Sequence, residues 1–238
     1  MMRIEMISLV LLCQAGCLLL WSQEGGPAGR LKGFEEKYGN DPRLVNGEKY
    51  YYPYSLSEGE PFLESAPRKA DIRIGGKVFE DQTVRYDIYN QYLVLEYEDV
   101  YGSVSSLVLQ DEWVEAFSYN GRYFKKMKGP EGEERFFQVV YEGPLSCYYT
   151  WQKEHKLDLS SGSQTYYFTD PARKAYVLMN GSFHQFRNNR TFRRIFGRDF
   201  RREIRQYMRQ DQIRIREASE PEVEALMEYC NSLVHEAD

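Results

Sequence analysis

Alternation organises the middle of the chain. In Thr83-Val84-Arg85-Tyr86-Asp87-Ile88-Tyr89, residues Val84, Tyr86 and Ile88 fall on one side and Arg85, Asp87 and Tyr89 on the other, the period of a half-buried strand. Asn90-Gln91 reads as a tight reversal, after which Leu93, Leu95 and Tyr97 resume the buried face. The same device recurs. Gly75-Gly76 separates Ile72-Arg73-Ile74 from Val78-Phe79, and Asn120-Gly121, the strongest hairpin signal, separates the run 114–119 from 122–125. Further extended runs cover 104–109, 136–141, 145–152, 165–169 and 174–179, with turns at Gly129-Pro130-Glu131-Gly132, Gly143-Pro144 and Asp170-Pro171. About ten short strands with no helix between them indicate an antiparallel meander. A sandwich, a partly open barrel or one strongly curved sheet would each satisfy it.

The pattern changes at both ends. From Ser182 onward Phe192, Phe196, Phe200, Ile204 and Met208 recur every four residues, the stripe of amphipathic helices, with Gly197 as the break between two of them. The segment 213–216 reads as an extended link. Ser219-Glu220-Pro221 then starts a last helix, with Ser as cap, Pro just inside, and Val223, Leu226, Met227, Cys230 and Leu233 as its buried stripe. Phe136 to Tyr141 is apolar on both faces, so these helices are expected to cover its second side. Between residues 24 and 70 no period is sustained, and Lys49-Tyr50-Tyr51-Tyr52-Pro53-Tyr54 reads as an extended aromatic strap along a sheet edge, or a stacking platform for a ring.

At the N-terminus Arg3 precedes the apolar runs 7–12 and 17–21, and Ser22-Gln23 leads into Gly25-Gly26-Pro27, the layout of a secretory signal peptide. Gln14-Ala15-Gly16-Cys17 offers a lipobox-like alternative with acylation at Cys17. The expected organisation is a signal peptide at 1–23, an extended lead-in at 24–70, an antiparallel β-domain at 71–180 and packed C-terminal helices at 181–238, with no transmembrane span once the signal is removed. Of the four cysteines, Cys147 and Cys230 then remain, either bridged or as two buried thiols.

Composition adds a folded, aromatic-rich chain of 238 residues with 15% aromatics, including 20 Tyr and 13 Phe. Net charge is −5, and with pI ≈ 5.5 and an export signal this argues against nucleic acid as partner. The charge is unevenly placed. Arginines 187, 190, 193, 194, 198, 201, 202, 205, 209, 214 and 216 face only Asp199, Glu203 and Asp211, whereas 217–238 carries seven acids and no Lys or Arg. One account has the last helix fold back and neutralise the basic stretch. The other has Arg193, Arg194, Arg198, Arg201, Arg202 and Arg205 contact an anionic partner, since guanidinium forks match phosphate and carboxylate.

Candidate chemistry is sparse. His155, His184 and His235 stand in no metal pair or catalytic signature, and 153–156 reads as an exposed strand end. H-E-x-x-H, C-x-x-C, P-loop and G-x-S-x-G patterns are missing, so no catalytic residue, cofactor or metal is assigned.

Taken in order, Tyr50-Tyr51-Tyr52-Pro53-Tyr54 with Gly59-Glu60-Pro61-Phe62, the 84–89 core strand, the 117–124 hairpin, the 137–143 strand and the basic helical end resemble a group of exported β-rich proteins of Bacteroidetes-type bacteria with no established activity. The resemblance implies a periplasmic or outer-membrane-associated location and brings no catalytic residues. The expected function is a non-enzymatic envelope interaction or accessory protein, meeting an envelope protein, an anionic lipid or an acidic polysaccharide. The alternative is a periplasmic carrier of a lipid or small hydrophobic ligand in a half-open β-barrel. They part on one point: a carrier needs a hollow, an accessory protein a filled core.

Overall fold

Pairing of the alternating segments produces one large antiparallel sheet. The computed structural model describes residues 48–98, 102–109, 111–159, 164–198 and 200–235, so the expected signal peptide and most of the lead-in lie outside the described residues. Four strands, β3 (Arg68–Ile74), β4 (Lys77–Asp87), β5 (Tyr92–Glu98) and β6 (Val104–Val108), form a meander running one way from β3. The two-residue β1 (Glu48–Lys49) clips the outer edge of β6, and Tyr50 N–H donates to Ser106 O, so the tyrosine-rich segment does strap a sheet edge. After a 3₁₀ turn at Asp111–Trp113 the chain returns to the other side of β3 and runs the opposite way. This second meander comprises β7 (Val114–Tyr119), β8 (Arg122–Lys128), β9 (Glu134–Tyr141), β10 (Ser146–Gln152), β13 (Ala172–Met179) and β14 (Ser182–Phe186). The sheet has eleven strands and does not close.

Between β10 and β13 the chain detours through a small sheet. Its hairpin β11 (His155–Asp158) and β12 (Thr165–Phe168) adds β2 (Ser57–Glu58) alongside β12 in parallel.

The large sheet hides its apolar face in two ways. Tyr86 on β4 and Phe136 on β9 are separated by four ladder steps, about 19 Å in a flat sheet. Their ring centroids are nevertheless 5.9 Å apart, so the sheet is rolled. Phe117 and Phe124 fill the space between, stacked at 4.8 Å, and each lies within 5.3 Å of the Tyr86 ring. Gln91 ties the roll together: its Oε1 accepts from the Tyr86 hydroxyl, and its Nε2 donates to Trp151 O on β10. Beyond this point the sheet opens and helices take over. Leu145, Cys147, Tyr149, Ala175, Val177 and Phe186 continue the same face and pack against Phe192, Ile204, Met208, Val223 and Leu226. Gln138, fully buried, marks the seam by accepting from Trp151 Nε1 at 2.7 Å. Phe137, Tyr148 and Tyr176 form a third cluster with Phe183 on the opposite face, so β9 is buried on both sides, but that second face is covered by side chains of the sheet itself and not by the C-terminal helices as expected.

Two expectations about strand boundaries need correction. The segment assigned to helices from 181 begins with a strand, β14, because Asn180-Gly181 makes one more hairpin with both residues at positive φ and brings Phe186 opposite Ala175. The reversal after β4 starts at Ile88, two residues before Asn90, because Asp87 accepts from Tyr89 N, Asn90 N and Asn90 Nδ2 and so organises the turn itself. Burial pushes the Asp87 carboxyl up in pKa, and those bonds pull it back.

Cys147 and Cys230 are free and fully buried in the helix-covered cluster. Burial raises both thiols, that of Cys230 to about 12. The chain without residues 1–23 therefore should not react with a thiol reagent at pH 8 while folded and should titrate two thiols once unfolded; none after unfolding would mean a disulfide. Phe117 touches Tyr86, Phe124 and Phe136, so Phe117→Ala is expected to cost about 3–5 kcal/mol by urea unfolding. A loss below about 1 kcal/mol would show that the roll is loosely packed.

Candidate anion-binding groove

The helical end starts with a complete cap. Asn188 Oδ1 accepts from the N–H groups of Arg190 and Thr191, and Thr191 Oγ1 accepts from Asn188 N, which fixes helix α1 (Asn189–Ile195). The helix stops at Phe196, which is extended, and α2 (Phe200–Gln210) follows. On α2 the inner positions go to Ile204 and Met208, both buried, while Tyr207 stacks on Tyr229 of α3 (Glu220–His235) at 4.2 Å. With the apolar stripe turned inward, Arg201, Arg202, Arg205 and Arg209 are left exposed.

These side chains converge with those of α1. A cavity of about 390 Å³ is lined by Arg190, Arg193, Arg194, Arg198, Arg201, Arg202 and Arg205. All six arginines singled out in the sequence belong to it. A second cavity of about 210 Å³, lined by Asn189, Arg193, Arg205, Met208 and Arg209, shares Arg193 and Arg205 with the first. Backbone carbonyls hold two of the guanidiniums in place: Arg193 Nε donates to Asn189 O at 2.9 Å, and Arg201 donates to the carbonyls of Phe196 and Arg194 at the end of α1. The Asn189 amide is occupied in holding the following link, donating to Ile213 O and accepting from Ile215 N. That link turns rather than running extended, with Ile213 and Ile215 buried.

The last helix does not neutralise this surface. Glu220 pairs with Arg122 at 3.2 Å, Glu217 with Arg214 at 3.7 Å, and Glu222 accepts from the backbone N–H and hydroxyl of Ser219. Among the described residues no carboxylate lies within ion-pair distance of any arginine lining the two cavities. The two helices meet through a tyrosine stack and buried apolar residues, which leaves the acids of α3 to other tasks. Crowding has an electrostatic mark: partial burial, then the charges of Arg205 and Arg209, push the Arg193 pKa down.

Two groupings go beyond the six contact candidates. Arg190 and Arg209 belong with the six, and spacing of three or four from Arg193, Arg194 and Arg205 was the available signal. A third cavity of about 530 Å³ gathers Arg173 and Lys174 of β13 with Arg187 and Arg216, a grouping only strand pairing creates. Elsewhere His155 is not an exposed strand end: it stacks on Phe168 at 4.5 Å and on Tyr166 at 5.3 Å, and its Nε2 lies 2.9 Å from Ser57 Oγ. Among the described residues no carboxylate hydrogen-bonds that imidazole, so the pair falls short of a catalytic triad and serves to join β2 to β11.

No family model, curated protein or solved structure matches this chain. Among the described residues no helix is long and apolar enough to cross a membrane.

Arg205 has Arg201 and Arg209 as neighbours one helical turn away on either side. Arg205→Gln should therefore stabilise the unliganded protein by about 0.5 kcal/mol at low ionic strength, a gain that shrinks as salt is added. A thermal unfolding series in salt checks this; a destabilised variant would mean that the cluster is internally compensated.

Proposed function

We propose that this chain is an exported cell-envelope protein of non-enzymatic role, in which a rolled β-sheet serves as scaffold and the α1–α2 groove binds an anionic partner. One observation carries the reading: seven arginines line a single groove and none of them has a carboxylate within ion-pair distance among the described residues. Leaving like charges together costs stability, and a bound anion offsets that cost. The export assignment rests on the apolar N-terminal run and on the likeness to exported proteins of Bacteroidetes-type bacteria.

A carrier with a hollow half-open barrel is disfavoured by the roll itself. Tyr86, Phe117, Phe124 and Phe136 occupy its interior in mutual ring contact. Rings packed at these distances leave the position of a carried acyl chain already filled.

The test is retention on a sulfated-polysaccharide column in a salt gradient. The wild-type chain is expected to bind at low salt despite its net charge of −5, and the triple variant Arg198→Glu, Arg202→Glu, Arg205→Glu to pass through while melting no lower than the wild type. Equal retention of the two, or none for the wild type, would sink the proposal.

A further inference from the structure

The arginine surface has two lobes. The smaller holds Arg193, Arg205 and Arg209 over Met208, the larger adds Arg190, Arg194, Arg198, Arg201 and Arg202, and Arg193 and Arg205 stand between them. We propose that the groove takes a soluble ligand with at least two linked phosphate groups, a short linear oligophosphate. One phosphate sits in the smaller lobe and the remainder in the larger, with Arg193 and Arg205 bridging consecutive groups. This rests on the anion-binding reading above and names its ligand chemistry.

Residue type is the first argument. The chain has 20 Arg and 11 Lys, yet eleven of the arginines fall within 187–216 and no lysine follows Lys174. A surface needing only positive charge has no reason to exclude lysine. A surface reading planar, paired oxygens does, because the guanidinium fork delivers two parallel N–H donors and an ammonium is a point charge. The bond from Arg193 Nε to Asn189 O aims that side chain and leaves both terminal nitrogens free for such a pairing.

Charge density is the second. Seven guanidiniums around about 390 Å³ call for an anion that brings several charges into a small volume. A uronic-acid polymer carries one carboxylate per sugar ring, too dilute to match. Linked phosphates carry a charge on every unit and present oxygens on all sides.

The third argument separates a soluble ligand from a lipid surface. An interfacial helix inserts an apolar face beside its cations, but the apolar positions of α2, Ile204 and Met208, are buried against the sheet and α3. Among the described residues the exposed large apolar side chains, such as Tyr51, Leu56, Val104 and Leu159, belong to other elements than α1 and α2.

Calorimetric titration of the folded chain with sodium tripolyphosphate tests this, against orthophosphate, citrate and vesicles containing phosphatidic acid. The expected result is one tripolyphosphate per chain, bound at least tenfold more tightly than orthophosphate or citrate, with no vesicle binding. Arg193→Lys and Arg205→Lys keep the charge and lose the fork. Each should weaken tripolyphosphate by about tenfold, a larger loss than the same variant shows in retention on the sulfated column, where charge alone is kept. Citrate binding as tightly as tripolyphosphate, or both lysine variants keeping full affinity, would overturn the phosphate assignment and leave the broader anion reading standing. Vesicle binding without tripolyphosphate binding would overturn it in favour of a lipid surface. A wild-type chain that binds neither tripolyphosphate nor the column would remove both.

Discussion

An antiparallel sheet with one apolar face must cover that face, and an eleven-stranded sheet is too wide for the three helices among the described residues to do so alone. The solution is division of labour along one continuous surface. Strands β3 to β9 roll until the rings of Tyr86, Phe117, Phe124 and Phe136 meet, and the strands beyond the Gln138–Trp151 seam are covered by α1 to α3. Everything at the helical end depends on where the roll stops. Had the curl continued through β14, there would be no open apolar strip for Phe192 and Ile204 to cover, and no reason for α1 and α2 to lie where they do.

That placement explains the arginines. A helix docked by Ile204 and Met208 has only its outer faces left for charge, and the short connection from Phe196 to Phe200 keeps the outward residues of both helices together. The backbone contacts of Arg193 and Arg201 then hold those two guanidiniums in place, where solvated side chains would splay apart. The result is a surface poor in internal compensation inside a chain that is acidic overall. Such local polarity survives because the packing under it is indifferent to the charge above it.

The strands were legible because their signals are local. Gly75-Gly76, Asn120-Gly121 and the alternation of 84–97 each speak within a short stretch of chain, and Ser219-Glu220-Pro221 marks α3 just as directly. What was hidden depended on distant pairing. Nothing near Ile72 states that it will sit opposite Phe117, so the return of β7 to β3 and the rolled closure were not legible. The same holds for Ser57 beside His155, and for Arg173 near Arg216. The six arginines were visible because helical spacing and composition flagged them together. Their lack of carboxylate partners was not, since whether Glu220 would reach them or Arg122 is decided by tertiary packing.

The open border at β14 has a consequence for crowding of like molecules. Its outer rim is an unpaired row of backbone donors and acceptors among the described strands, the kind of template on which a second copy could add a strand. Arg187 follows that strand directly and Arg190 lies in the first turn of the next helix, so an approaching copy in parallel register would bring its own positive end to the same place. Repulsion there guards against addition of a copy in that register. The guard is conditional: an anion that neutralises the arginines also quiets the electrostatic barrier between copies, so the occupancy of the groove and the tendency of the chain to self-associate are physically linked.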